Sequence, residues 1–363
     1  MVLYYAYTQY HLFNSINLQL SKHKNEPSEI FFVRPDDANL KPLYSRLLEL
    51  EIFDNIVDFD SVWLDDRNFL TKINSAIPVA KNIVQHSKKI KGLSFSEKVD
   101  IIYTYGSSVE LYLLYDYIKK TNNRNVKLVC YEEGVGSYCR KADNQLGRFP
   151  KLIIEKYLKI EMPEFFETIM VYQPECMGIE QKCDVIPMPR VNRKNANLIN
   201  DIFGYSEFGD YSRFVFFNGP DRMIDKYLSS IVQDLDCKDL TIKCHPRSKL
   251  QGDKRGFLYQ NSQWEMICLN HSAANKVFIS QISTAMFSAK SMFNEEPYLI
   301  FLFELEGTEK YFDYNSKINK AYNNYIKNFI RSYSDETKIY IPRTIVELKD
   351  LIARLNKEDN DNV

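Results

Sequence analysis

The sequence predicts an α/β protein built as two Rossmann-like domains in tandem, each a parallel sheet covered by helices on both faces. Three observations lead there. The chain has 363 residues, more than one ordinary core absorbs and suited to two domains of about 150–200 residues each. Short apolar runs alternate with segments of helical periodicity, as a parallel sheet with crossover helices requires. That rhythm lapses once, from about residue 162 to 209, and then restarts.

The first rhythm starts with an apolar strand over Val2–Tyr7. A helix over Tyr10–Leu20 has Leu12, Ile16 and Leu18 on one side. Glu29–Val33 and Ile52–Phe59 are strand-like, separated by a helix over Leu40–Leu50, and a long helix is expected over Phe69–Lys89. Asp100–Tyr105 is a strand running into Gly106-Ser107-Ser108, followed by a helix over Val109–Lys119 and a strand over Val126–Tyr131. The interrupted stretch carries Pro174, Pro187 and Pro189 with several Asn, and one strand near Ile169–Tyr172. In the second rhythm, Phe214–Asn218, Leu240–Cys244, Lys276–Ser280 and Pro297–Phe303 are strands. Asp221–Leu235, Gln263–Leu269, Ala285–Phe293 and Ile345–Leu355 are helices, with a polar, frayed tail from Lys357. The expected division is residues 1–175, a linker over 176–210, and residues 211–363. Two such halves predict the two-domain GT-B architecture, with parallel sheets facing across a cleft.

Composition narrows the function classes. Apolar residues make up 45% and charged residues 26%, with a formal net charge of −1, so no global field attracts nucleic acid. The short basic run Arg190–Lys194 reads as a solvated loop. The seven cysteines, at 130, 139, 176, 183, 237, 244 and 268, form no CxxC pair, which speaks against zinc and for reduced thiols. The opening residues lack the basic and apolar regions of a signal peptide, and no run reaches the roughly 18 apolar residues of a membrane span. Asp58-Phe59-Asp60 and Asp234-Leu235-Asp236 have the form of a metal-binding DxD but are poorly placed for it. No metal is expected. Gly-x-Gly-x-x-Gly and Walker loops are absent.

In open α/β sheets ligands bind beyond the carboxyl ends of the strands. The residues there are Thr8, Gln9 and His11, then Gly106, Ser107 and Ser108, then Glu132, Glu133 and Gly134. The second half offers Asn218 and Gly219, then His245, Pro246 and Arg247, then Ser283 and Thr284. Adjacent carboxylates flanked by glycines allow close approach and, if burial raises a pKa, general-base chemistry; an acidic turn is the alternative. Pro246 biases His245 toward extended geometry at the sheet edge, where an imidazole can meet a departing phosphate. Of the five histidines, His23 and His86 are expected on charged helix faces and His271 in a loop. Ser283-Thr284 precedes a helix, which makes either a simple N-cap or an anion site.

In this order, Glu132-Glu133-Gly134, His245-Pro246 and Ser283-Thr284 resemble the D/E-D/E-G, HP and Ser-Ser/Thr motifs of bacterial GT-B sialyltransferases, the lipooligosaccharide, capsule and polysialic-acid enzymes. The opening Tyr7-Thr8-Gln9-Tyr10-His11-Leu12 and the segment Gln263–Ile267 are also similar to that group. The resemblance implies an inverting transferase with CMP-sialic acid as co-substrate and no cofactor. It assigns Glu133 as general base and His245 as acid or phosphate partner. Ser283 and Thr284 hold the phosphate, Glu265 the ribose and Gly219 the cytosine side, with Pro246 also counted among the CMP-binding residues. Thr8, Gln9, Gly106, Ser107, Glu132 and Gly134 are assigned to sugar or acceptor contacts. The departure is Glu-Glu where many members carry Asp. The implied partners are a nucleotide-sugar donor and a glycan acceptor, with no nucleic acid. A cytoplasmic site is expected, with association at the inner membrane face and oligomeric state left open. The rivals are a GT-B transferase for CMP-pseudaminic acid, CMP-Kdo or a UDP-hexose, and a non-catalytic nucleotide- or sugar-binding protein.

Overall fold

The computed structural model describes residues 1–34, 41–61, 76–143, 145–164, 166–206, 211–219, 223–235, 237, 239–245, 263–308 and 317–360. The chain divides into two compact units. Unit 1 comprises residues 1–174, 180–189 and 201–204, and unit 2 comprises residues 175–179, 190–200 and 205–363. The segment 176–210 is therefore shared between the two units.

Unit 1 contains β1 (Val2–Ala6), α1 (Gln9–Lys22), β2 (Ser28–Arg34), α2 (Lys41–Glu49), β3 (Asn55–Asp60), α3 (Ala76–Ile90), β4 (Ile101–Thr104), α4 (Val109–Thr121) and β5 (Lys127–Tyr131). It continues with α5 (Val135–Cys139), α6 (Arg148–Leu152), β6 (Thr168–Val171) and β7 (Asp184–Pro187). α7 (Ala196–Phe203) spans the division between units. The seven strands form one parallel sheet in the order β3-β2-β1-β4-β5-β6-β7. β1 is buried along its whole length, pairing Val2 with both Ser28 and Ile101, so its sequence is an unbroken apolar run. The order reverses between β1 and β4, which opens a crevice at their carboxyl ends.

Unit 2 contains β8 (Phe214–Phe217), α8 (Met223–Gln233), β9 (Leu240–Lys243), α9 (Trp264–Asn270), β10 (Val277–Ser280), α10 (Thr284–Phe293), β11 (Tyr298–Phe301), α11 (Lys317–Arg331), β12 (Ile339–Tyr340) and α12 (Ile345–Asn360). Its parallel sheet runs β12-β11-β10-β8-β9, reversing between β8 and β10. Alternate strand residues build its two cores. Phe214, Phe216, Ile242, Ile279 and Ile300 pack under Leu228, Ile231 and Val232 of α8 and Leu348, Leu351 and Leu355 of α12. On the opposite face Phe217 and Phe278 meet the Trp264 ring edge-on, at 4.7 and 5.2 Å.

Several elements differ from expectation. β7 and α7 give structure to the stretch expected as a linker, and α11 occupies a segment where no helix was expected. α12 continues to Asn360, so the first residues of the expected frayed tail, Lys357–Asn360, are helical, and residues 361–363 lie outside the described ones. The expected helix over Phe69–Lys89 is described from Ala76, and its first residues lie outside the described ones. Among the described residues no helix is long and apolar enough to cross a membrane, and all seven cysteines are free.

Candidate active site

β5 delivers the two glutamates. Its apolar residues end at Tyr131, and the chain then turns through Gly134, whose φ of 117° and ψ of −157° suit glycine and strain any other residue. This turn separates the fates of the two acids. Glu132 folds back into the protein. Its Oε2 accepts the Tyr138 hydroxyl at 2.5 Å and the Tyr172 amide at 2.9 Å, and its Oε1 accepts the Tyr10 hydroxyl at 3.4 Å. Its carbonyl accepts Asn14 Nδ2 at 2.9 Å, and Asn14 in turn accepts the Tyr172 hydroxyl at 2.8 Å. Glu132 is 4% exposed, and burial pushes its pKa up to about 7 against the opposing pull of those three donors.

Glu133 is turned outward. Its amide donates to Ser137 Oγ at 2.8 Å, and a side chain at Gly136 would begin 2.9 Å from Glu133 Oε1, so Gly136 leaves the carboxylate its room. Glu133 lines a concavity of ≈ 630 Å³, open mouth included, together with Tyr105, Gly106, Ser107, Arg140 and Asp143. The residue is exposed, yet the walls of this concavity raise the carboxyl pKa by desolvation, while the Arg140 charge lowers it. Solvent reaches the Glu133 carboxylate, whereas Glu132 is sealed from it.

The other residues expected at the first sheet's edge divide in the same way. Ser107 faces the concavity, with its hydroxyl bonded to Tyr112 at 2.9 Å and to the Asp143 carbonyl at 3.0 Å. Thr8 is the N-cap of α1, its Oγ1 accepting the His11 amide at 3.2 Å, and Gln9 is an exposed first-turn residue. Neither lines the concavity, and neither do Glu132 and Gly134. His11 completes the cap. Its Nδ1 accepts the Tyr7 and Thr8 amides at 3.3 Å, its ring stacks on Tyr105 at 3.9 Å, and burial lowers its pKa to about 3. His23 and His86 are buried rather than on charged faces, bonded to Tyr103 and to the Asp60 carbonyl.

In unit 2, Gly219 follows β8 and Ser283-Thr284 follows β10, the two strands between which the sheet order reverses. Ser283 occupies the N-cap of α10, but its side chain makes no capping bond, so the simple N-cap reading fails for its hydroxyl. Asn218, 3% exposed beside Gly219, accepts Ser229 Oγ at 3.1 Å, and its Nδ2 has no partner among the described residues. His245 is half-buried two residues beyond β9, whose Lys243 carbonyl accepts the Asn218 amide at 3.0 Å. Gly219 has a local reason to be glycine: a Cβ there would collide with the Asp225 carboxylate. Glu265 is 7% exposed at the start of α9, and its Oε1 accepts Ser288 Oγ at 3.3 Å. Burial raises its pKa and lowers that of Lys243, the nearby buried cation. Pro246 and Arg247 lie outside the described residues.

Sequence reasoning missed Tyr105, Arg140 and Asp143. Tyr105 had a signal, as the residue directly after β4, whereas Arg140 and Asp143 reach the concavity only through the turn after α5. Of the DxD candidates, Asp58 accepts the Tyr44 hydroxyl at 3.5 Å and Asp60 pairs with Lys89 at 3.4 Å; Asp236 is outside the described residues. Among the described residues no group of three or more His, Cys, Asp or Glu is placed to hold a metal ion.

No protein-family model matches the chain, and no curated protein matches it in sequence. Solved structures do match. The α/β-galactoside α-2,3-sialyltransferase of Photobacterium phosphoreum is 10% identical over 94% of this chain and 98% of its own, with a TM-score of 0.51. The glycosyltransferase VinC in complex with dTDP is 10% identical over 98% of this chain and 91% of its own, with a TM-score of 0.45. A UDP-N-acetylglucosamine 2-epimerase is 12% identical over 93% of this chain and 88% of its own, with a TM-score of 0.42. The fold is that of GT-B glycosyltransferases. At such identities the likeness is one of fold, and donor and acceptor are a separate question.

Proposed function

We propose that the chain transfers sialic acid from CMP-sialic acid to a hydroxyl of a surface glycan, such as capsule or lipooligosaccharide, with inversion and without a metal ion. The observation that carries this reading is the split between the two glutamates. One is locked inside, while Glu133 stands open to a concavity with its proton affinity raised, as a general base at neutral pH needs.

In this mechanism a Glu133 carboxylate oxygen takes the proton of the acceptor hydroxyl. The acceptor oxygen, freed of that proton, attacks the anomeric carbon of the donor from the face opposite the CMP. The bond to the phosphate oxygen breaks, and its electron pair leaves with CMP. His245 donates a hydrogen bond or proton to the leaving phosphate. The Ser283 hydroxyl and the positive end of the α10 backbone dipole hold its oxygens. A monophosphate leaving group carries less charge than a nucleoside diphosphate, so protein donors suffice in place of Mg²⁺. Glu265 and Gly219 are assigned to the nucleoside, and Gly106 and Ser107 to the acceptor side. The activity is placed in the cytoplasm, where such a donor is made.

The test is hydrolysis of CMP-sialic acid with EDTA present, for the wild type and His245→Ala. The expected result is CMP release by the wild type that His245→Ala slows by on the order of 10²–10³-fold. Absence of release, together with no shift of the melting temperature by CMP, sinks the sialyl donor and directs the search to CMP-Kdo, CMP-pseudaminate and UDP-sugars.

A further inference from the structure

Unit 1 carries a surface that plays no part in the chemistry above. α6 continues beyond Leu152 as a widened π-helical turn, Ile153–Tyr157. Its inner side is apolar, with Pro150, Ile153 and Ile154 buried. Arg148, Leu152 and Lys156 recur every fourth residue on the outer side, followed by Tyr157 and Lys159, and all five are exposed. Leu152 is 55% and Tyr157 71% exposed. α3 packs against this segment and adds Ile77, 81% exposed. Half of the six large apolar side chains this exposed among the described residues therefore lie on these two packed elements.

The charges on the same elements are one-sided. α3 supplies Lys81, Lys88 and Lys89 and no carboxylate. Residues 148–159 supply Arg148, Lys151, Lys156 and Lys159 against Glu155 alone, in a chain whose net charge is −1. Lys151 pairs with Glu155 at 3.7 Å, and Lys89 reaches Asp60 of β3 at 3.4 Å. Lys81, Lys88, Arg148, Lys156 and Lys159 make no ion pair among the described residues. The next carboxylates along the chain, Glu161 and Glu164, follow the buried Ile160, which ends the exposed face.

We propose that this face docks unit 1 onto an anionic lipid surface. Cations alone fit any polyanion. What selects a bilayer is their interleaving with Leu152, Tyr157 and Ile77, apolar and aromatic groups suited to the boundary between headgroups and acyl chains. The cations are drawn to negative headgroups and orient the face, and the apolar side chains then leave water. Docking of this kind does not depend on which donor the protein uses.

The test is co-sedimentation of the full chain with vesicles of phosphatidylcholine alone and with vesicles of phosphatidylcholine and phosphatidylglycerol in equal parts, at low and high salt. The wild type is expected to bind the mixed vesicles, to bind them less at high salt, and to leave neutral vesicles in solution. Lys156→Gln with Lys159→Gln should weaken partitioning by about 25-fold, from about fivefold per cation near an anionic surface. Leu152→Ser with Tyr157→Ser should weaken it further at high salt, where charge attraction is screened. All four positions are exposed and none lines the concavity at Glu133, so the melting temperature and CMP binding should stay as in the wild type. Absence of binding to the mixed vesicles, or binding that ignores the lysine pair, overturns the proposal. So does a face that binds duplex DNA as tightly as vesicles and ignores the Leu152 and Tyr157 changes, since that would be a general polyanion site.

Discussion

The carboxyl ends of the two sheets carry similar polar residues and use them in opposite ways. In unit 1 the fold itself consumes most of them. Thr8 and His11 cap α1, Ser108 caps α4 through the Leu111 amide at 3.0 Å, and Glu132 is saturated by three donors, leaving Glu133 turned outward. In unit 2 the fold leaves groups unspent: Ser283 sits at an N-cap without capping, and Asn218 Nδ2 has no partner among the described residues. A polar residue after a strand is a candidate for chemistry only once the local structure has declined to use it, and position alone does not decide that.

The sharpest way to break the comparison is at the two adjacent glutamates. Glu133→Gln should lower transfer by on the order of 10²–10⁴-fold while leaving CMP binding intact. Glu132→Gln should change transfer far less, because its amide can replace the carboxylate among Tyr10, Tyr138 and Tyr172. Steady-state transfer with CMP titration checks both, and equal losses would mean the two acids act as one unit.

The next effect is on stability. A carboxyl whose pKa rises from 4.5 unfolded to about 7 folded holds its proton more tightly in the native state. Its contribution is fully present below pH 4.5 and is lost as pH climbs to about 7, by about 3 kcal/mol. His11, lowered from 6.5 to about 3, acts in the opposite direction, and its stability is lost as pH falls through that interval. Between pH 4.5 and 6.5 the two slopes oppose each other, so the wild-type urea midpoint should change little there, whereas in Glu132→Gln only the His11 slope remains and the midpoint should fall as pH falls.

The smallest effects test the two serines. Ser108→Ala should cost about 1 kcal/mol of stability through the lost cap of α4. Ser283→Ala should leave the melting temperature alone and weaken CMP binding by about 10- to 100-fold, the worth of a hydrogen bond to a charged group. A melting loss at Ser283 without a binding loss would return it to the ordinary N-cap.

The central strands were legible because parallel sheets bury both faces, so β1 and β8 read as unbroken apolar runs and β10 as one up to Ser280. β7 was not, because its edge position leaves Asp184 and Pro187 exposed and removes the pattern. α11 hides its apolar stripe, Ala321, Tyr325, Ile326 and Phe329, among lysines and asparagines that read as a polar loop. At the site, strand-end positions could be read directly. The fate of Glu132 could not, because Tyr10 and Tyr172 come from positions 122 and 40 residues away. Arg140 and Asp143 were hidden because the turn after α5, and not a strand end, carries them to the concavity.

The strand order of unit 1 also has a consequence for how the chain is made. β1 lies inside the sheet, paired with β2 on one side and on the other with β4, about a hundred residues later in the sequence, and among the described residues no two strands form a hairpin. Every ladder must close a long loop before it yields anything, so contact order is high and folding is expected in milliseconds to seconds rather than microseconds. During synthesis the bare, wholly apolar edge of β1 waits for β4, a span in which a chaperone or a slow ribosome would decide how much of the protein reaches its native state.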